Sequence, residues 1–204
     1  MKITLFGATG GTGRSLLAQA LERGDEVRAL VRDPGKLDVS DPGLTVIAGD
    51  VLDPTAVADC LAGTDAVACI LGTKPGQEPI ESRGTNVILE QMQASGPRRL
   101  VVVSSMGVGD SIDQVALAFR LIMQMTLKRI MEDKERQEQL VMASDLDWTI
   151  VRPGGLTDGP RTGSYQAGTE KAIRAGRVSR ADVADFVLGL LGDRRFLHQT
   201  PAIS

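Results

Sequence analysis

The chain has 204 residues, 42% hydrophobic and 24% charged, with 23 basic against 26 acidic side chains and a net charge of −3. This length suits one domain, the composition excludes disordered, collagen-like and coiled-coil chains, and the mild acidity leaves no electrostatic footprint for nucleic acid or an anionic membrane. A small molecule is the expected partner. Cys60, Cys69 and the single histidine, His198, do not make a metal set, and two reduced thiols fit a reducing cytoplasm. No apolar run approaches the ~20 residues of a membrane span, and residues 1–7 are too short for a signal peptide.

In chain order, apolar strand-like runs alternate with helical patterns. A strand over 3–6 leads through a glycine-rich turn into a helix that stops at Gly24. Strands follow at 26–31 and 44–48, then a short helix at 56–61 and a nearly all-apolar strand at 66–71, the mark of burial on both faces. A helix over 87–93, a strand at 100–103, a long helix from about 114 to 143, a strand at 148–151 and a helix at 181–191 complete the pattern. Alternation of this kind predicts six or seven strands in a three-layer doubly wound parallel sheet, as one α/β domain over 1–204. A (β/α) barrel needs about 250 residues, and the chain is too short for one.

Between the first strand and first helix stand Gly7, Ala8, Thr9, Gly10, Gly11, Thr12 and Gly13, with glycines spaced three apart at 7, 10 and 13. Such a turn allows positive φ, brings backbone close to a diphosphate and presents it to a helix N-terminus. Its strand-turn-helix context favours nucleotide binding over an ordinary tight turn. At the end of the second strand, Arg32, with Lys36 nearby, suits the 2′-phosphate of NADP. The competing assignment leaves Arg32 in solvent and gives the ribose to Asp33. The other strand ends, Gly49-Asp50-Val51, Gly72-Thr73-Lys74, Ser104-Ser105-Met106-Gly107 and Arg152-Pro153-Gly154-Gly155, are expected to gather around one crevice.

Together GATGGTG, RDPGKL, GDVLDP, LGT, VVVSSMG, TIVRPGGLTDGP and VSRADVADFVL resemble the NmrA-like atypical short-chain dehydrogenases/reductases, above all their flavin- and biliverdin-reducing branch, over nearly the whole chain. The resemblance implies a Rossmann-type NAD(P)-binding fold. It places Gly7, Thr9, Gly10, Gly11, Thr12 and Gly13 at the diphosphate and adjoining ribose. Arg32 and Lys36, with Gly35 beside them, fall at the 2′-phosphate, and Asp50 and Val51 at the adenine. Leu71, Gly72, Thr73 and Lys74 fall along the middle of the cofactor, and Pro153 and Gly154 at the nicotinamide. The family's serine near the nicotinamide aligns with Ser105, and Ser104 is the neighbouring candidate; its implied role is a hydrogen bond, not nucleophilic attack.

The chain departs from the family's usual Tyr-x-x-x-Lys pair, in which lysine lowers the tyrosine pKa for proton exchange. Lys134 stands at the lysine position with Ile130 four residues before it, and the only tyrosine, Tyr165, has no such lysine. Ordinary alcohol/ketone chemistry therefore loses its proton donor. The implied activity is an NADPH-dependent oxidoreductase passing hydride to a flavin such as FMN, a biliverdin-like tetrapyrrole or a quinone-like acceptor. The alternatives are a non-catalytic NADP-sensing regulator or, further off, a nucleotide-sugar epimerase or dehydratase. Acceptor choice is expected to lie in segments 75–81, 109–125 and 156–165, and the resemblance implies a monomer, with the apolar helix leaving a dimer open. Val115, Ala118, Phe119, Leu121, Ile122, Met123, Met125 and Leu127 form either a pocket wall or, more simply, helix core or a partner-facing stripe. Cys69 is expected to be a buried hydrophobe, and His198 to have no catalytic role.

Overall fold

Side chains alternate across a strand, so a central strand that is apolar at every position must be covered on both faces. Ile3 and Leu5 of β1 (Lys2–Phe6) belong to one apolar cluster and Phe6 to another on the opposite face, and all three are buried. The same division holds for β4 (Ala66–Cys69) and β5 (Arg99–Val103), with Ala68 and Val101 on one face and Cys69 and Val102 on the other. The first face is covered by α1 (Gly11–Glu22) through Leu16 and Leu17 and by α5 (Arg180–Gly192) through Val183 and Val187. The second is covered by α2 (Pro54–Leu61), α3 (Glu81–Ser95) and α4 (Lys128–Met142), which contribute Val57, Ile88 and Val141. Three layers result.

The computed structural model describes residues 1–117, 120 and 125–204. Its main sheet has eight strands: β3 (Leu44–Ala48), β2 (Glu26–Val31), β1, β4, β5, β6 (Asp147–Pro153), β10 (Ala202–Ile203) and β8 (Ala167–Gly168), in that order. The pairing is parallel from β3 through β10, and β8 alone is antiparallel, to β10. A separate parallel pair joins β7 (Gly155–Thr157) to β9 (Arg177–Ser179). The doubly wound parallel sheet is as predicted, and the first six strands stand where the pattern put them.

Two differences have local causes. Six or seven strands were expected, but β7 to β10 are only two or three residues long, too short for any periodicity to register. The helix expected from 114 to 143 is interrupted: a short 3-10 turn, Gly109–Gln114, ends at an extended Val115, the described residues 117, 120, 125 and 126 are helical, and Leu127 breaks the path before α4 starts at Lys128. Val115 leaves the helical path to pack with Met106, Ile173 and Ala202 in a third apolar cluster. Of the apolar stretch, Ala118, Phe119, Leu121, Ile122 and Met123 lie outside the described residues.

The segment before α5 is tied down from the helix. Asp182 is buried, and its carboxylate accepts hydrogen bonds from the Thr162 N–H (2.7 Å), the Gly163 N–H (2.9 Å) and the Thr162 hydroxyl (2.9 Å). Burial by itself raises this carboxyl, but the hydrogen bonds from Gly163, Thr162 and Ser179 outweigh it and hold the pKa below the ordinary 3.8. A depressed folded-state pKa gives stability that is present above pH 3.8 and lost as pH falls through the folded value. Asp182→Ala is therefore expected to cost about 1–2 kcal/mol at pH 7, from the part-buried Thr162 and Gly163 donors and the buried Ser179 hydroxyl left without this acceptor. In urea titrations the gap between variant and wild type should close below pH 3.8; a gap independent of pH would refute the assignment.

Candidate active site

The turn after β1 is shaped by two close backbone approaches. Gly7 has φ +90°, and a Cβ there would stand 2.2 Å from the Ile70 carbonyl oxygen; a Cβ on Gly13 would stand 2.1 Å from the Gly7 carbonyl oxygen. Only glycine fits either place. α1 starts from Gly10 with no capping side chain and no acidic residue in its first turn, so its positive end faces outward without a protein anion.

A cavity of about 920 Å3 runs from this turn along the carboxyl ends of the parallel strands. Thr9, Gly10, Gly11, Thr12 and Gly13 line it at the α1 end, and Arg32 and Lys36 at the β2 end. Val51, Leu71, Gly72, Thr73 and Lys74 line its middle, and Ser104, Ser105, Pro153 and Gly154 its far end. Of the predicted site residues, Gly35 and Asp50 do not line it; Gly35 donates its N–H to Asp33, and Asp50 serves its own turn. Its carboxylate accepts from the Leu52 N–H (2.9 Å), shaping the turn from within. Of the segments expected to set acceptor choice, Gln77, Ile80, Glu81 and Leu156 reach the cavity.

At the β2 end the two charges next to Arg32 are already committed. Asp33 accepts from the Gly35 N–H (3.2 Å) and pairs with Lys36 (3.5 Å), whereas Arg32, exposed, has no ion pair or hydrogen bond among the described residues. Arg14 secures this corner by donating to the carbonyls of Thr9 (3.1 Å) and Lys36 (2.5 Å).

At the other end the two serines differ. Ser105 donates to the Met106 carbonyl (3.1 Å), while the Ser104 hydroxyl is buried against the cavity with no partner among the described residues. Ile130 and Lys134 line the same cavity. Burial pushes the Lys134 ammonium below its ordinary range, against the attraction of Glu81. Tyr165 lines a second cavity, between α1 and α5, where it donates to Asp185 (3.0 Å).

Sequence reasoning did not single out Glu81 or Arg180. Glu81, fully buried, accepts from the Thr73 N–H (3.0 Å), the Thr73 hydroxyl (2.6 Å) and the Ile80 N–H (3.0 Å), closing the loop between β4 and α3. The Thr73 hydroxyl is thereby turned to Glu81. Arg180 lines the cavity opposite Gly11. No local pattern marks either; the only signal near Arg180 is the Ser179 cap, whose hydroxyl accepts from the Asp182 N–H (2.9 Å).

The remaining candidates behave as small structural groups. Burial raises the Cys69 thiol, within 3.6 Å of the Thr85 hydroxyl, and pushes Cys60 up to about 12. His198 packs edge-on against Trp148 at 5.3 Å, remote from the cavity lining. No cluster of His, Cys, Asp and Glu among the described residues is arranged to hold a metal, and no helix among them is long and apolar enough to cross a membrane.

A parallel α/β sheet with a glycine-lined cradle at the switch of strand order, between β1 and β4, defines a dinucleotide-binding protein of the Rossmann type. The cavity fits the cofactor: a Cβ would fill the cradle, the α1 end lacks an anion, and the volume is that of a cofactor pocket. The profile of the NAD(P)H-binding family matches residues 7–194, and the chain belongs to that family.

Among its relatives, the chloroplastic Arabidopsis thaliana protein At2g34460 is 32% identical over 93% of this chain and 71% of its own length. YwnB of Bacillus subtilis is 30% identical over 95% of this chain and 92% of its own. Among solved structures, ChuY of Escherichia coli O157:H7, described as an anaerobillin reductase, superposes with a TM-score of 0.84 at 27% identity, covering 100% of this chain and 96% of that one. The chain is an oxidoreductase-type member of the NAD(P)H-binding family, and this setting is consistent with the resemblance to NmrA-like atypical short-chain dehydrogenases/reductases.

Proposed function

We propose that the protein is an NADPH-dependent reductase whose acceptor is a flat conjugated molecule: a flavin such as FMN, a biliverdin-like tetrapyrrole or a quinone-like compound. The observation that carries this reading is Ile130 beside Lys134 in a cavity continuous with the glycine turn. An acceptor that needs a positioned phenol to exchange a proton is poorly served there. A conjugated acceptor spreads the incoming charge and draws its proton from solvent, so orientation and electrostatics suffice. The likeness to a protein described as an anaerobillin reductase supports the tetrapyrrole member of this class.

The bound dinucleotide supplies the hydride. In this reading the turn from Gly7 to Gly13 and the open end of α1 hold the diphosphate, and Arg32 with Lys36 holds the 2′-phosphate. Val51 packs at the adenine, with Asp50 holding its turn. Leu71, Gly72, Thr73 and Lys74 follow the middle of the cofactor through backbone and stem contacts. Pro153 and Gly154 flank the nicotinamide end, where Ser104, whose hydroxyl has no partner among the described residues, is a better hydrogen-bond donor than Ser105, which donates to the Met106 carbonyl. Lys134 places a cation at this end. We take the protein to act as a cytoplasmic monomer.

Loss of the reduced-nicotinamide absorbance tests the proposal, with FMN, riboflavin, biliverdin and a quinone offered in parallel and NADH as the cofactor control. Turnover with at least one acceptor, faster with NADPH, is expected. Tight NADPH binding with no turnover on any of the four would instead favour a redox-sensing regulator, a role for which the absent tyrosine is equally suited.

A further inference from the structure

Gly11 falls outside the glycine spacing at 7, 10 and 13. A Cβ on Gly11 would stand 2.6 Å from Arg180 Cδ and 2.8 Å from Arg180 Nε. The side chain of Arg180, reaching over from the first position of α5, therefore lies directly across the first residue of α1. Its position is set from behind by the Ser179 cap and by Asp182, which tie the start of α5 to the 162–163 segment.

This is an unfavourable place for a cation. The start of α1 carries the positive end of the helix dipole with no acidic residue in its first turn, and Arg180 also opens its own helix. The guanidinium has one ion-pair partner among the described residues, Asp158, at 2.5 Å. Asp158 follows β7, and its side chain is 89% exposed. A carboxylate so well solvated gains little from the pair. A diphosphate at the α1 terminus would meet both the helix N–H groups and the guanidinium, with the bidentate geometry that phosphate and guanidinium share.

Resting on the reading of the cavity as a dinucleotide site, we infer that Arg180 is a diphosphate-binding residue for which Asp158 and the cofactor compete. Binding moves the guanidinium from an exposed carboxylate to the cofactor's diphosphate, and Gly11 is glycine because the arginine stem must cross it. The diphosphate is common to both nicotinamide dinucleotides, so Arg180 sets affinity without setting the preference between them. The segment after β7, which carries Asp158 and adjoins Leu156 in the cavity lining, loses an anchor when the cofactor binds.

The test is equilibrium binding of NADPH and of NADH, followed by calorimetry, for wild type, Arg180→Gln, Asp158→Asn and the double variant, with circular dichroism confirming the fold. Arg180→Gln is expected to weaken both dinucleotides by the same factor, about tenfold or more. Asp158→Asn is expected to tighten both, by about two- to fivefold, because the competitor is removed. The double variant should bind like Arg180→Gln alone, since the carboxylate acts only through the arginine. Wild-type affinity in Arg180→Gln, or no tightening in Asp158→Asn, overturns the inference. Asp158 is exposed, so its variant decides the matter even where Arg180→Gln does not fold. Failure of the wild type to bind either dinucleotide would overturn the reading of the cavity itself.

Discussion

Gly13→Ala is expected to abolish measurable NADPH binding and to cost about 3 kcal/mol or more of folding stability, the scale of an overpacked site whose neighbour is backbone. The new Cβ would lie 2.1 Å from the Gly7 carbonyl oxygen and 3.0 Å from Ala8 Cα. Neither atom is the end of a flexible side chain. The Gly7 peptide has nowhere to retreat, because Gly7 itself passes so close to the Ile70 carbonyl that a Cβ there would stand 2.2 Å from it. Relief would require α1 to move off β1, opening the apolar contacts of Leu16 and Leu17. Gly72→Ala serves as the control: nothing lies within 4 Å of its ideal Cβ, so its stability should stay within about 0.5 kcal/mol of wild type. Urea denaturation separates the two, and equal stability losses would contradict the packing described for the turn.

The second large effect concerns the choice between dinucleotides. Arg32→Ala is expected to raise the Kd for NADPH by about 30- to 100-fold while leaving NADH within about threefold, as befits the loss of charge-assisted contacts to one phosphate. The preference depends on which group at the end of β2 is free. Asp33, the rival, spends one carboxylate oxygen on the Gly35 N–H and pairs the other with Lys36. Arg32 lines the cavity with its charge uncommitted among the described residues. Binding titrations with both cofactors decide it. An unchanged ratio of affinities in Arg32→Ala would return the ribose to Asp33, and Asp33→Ala should then weaken NADH.

Much of this was legible in the chain because the features are local or strictly periodic. The strands at 26–31 and 44–48 appear within the predicted bounds, since runs buried on both faces, or ending at glycine and aspartate, leave little latitude. The glycine turn is readable for a similar reason: its requirements, positive φ and close backbone approach, fall on residues within one short segment. α3 is harder. Periodicity shows a helix from 87, whereas the helix starts at Glu81, because Glu81 is held by Thr73 and Ile80 and Ser82 by Asp133 of α4. Those partners are remote in sequence, and no window centred on the helix contains them all.

The layered parallel sheet, the glycine turn of Gly7 and Gly13, the charge at Arg32 and the isoleucine four residues before Lys134 are all written in the residue order. Each follows from residue type and spacing within a single strand-turn-helix unit. It takes the folded chain to show that the Ser104 hydroxyl is left without a partner among the described residues, that Asp50 stays out of the cavity lining, and that Arg180 crosses Gly11 from a helix 169 residues further along the chain. These depend on which side chains meet across the carboxyl edge of the sheet. That meeting is fixed by the order in which strands pair and helices cover them, and it leaves no period or spacing in the sequence to read.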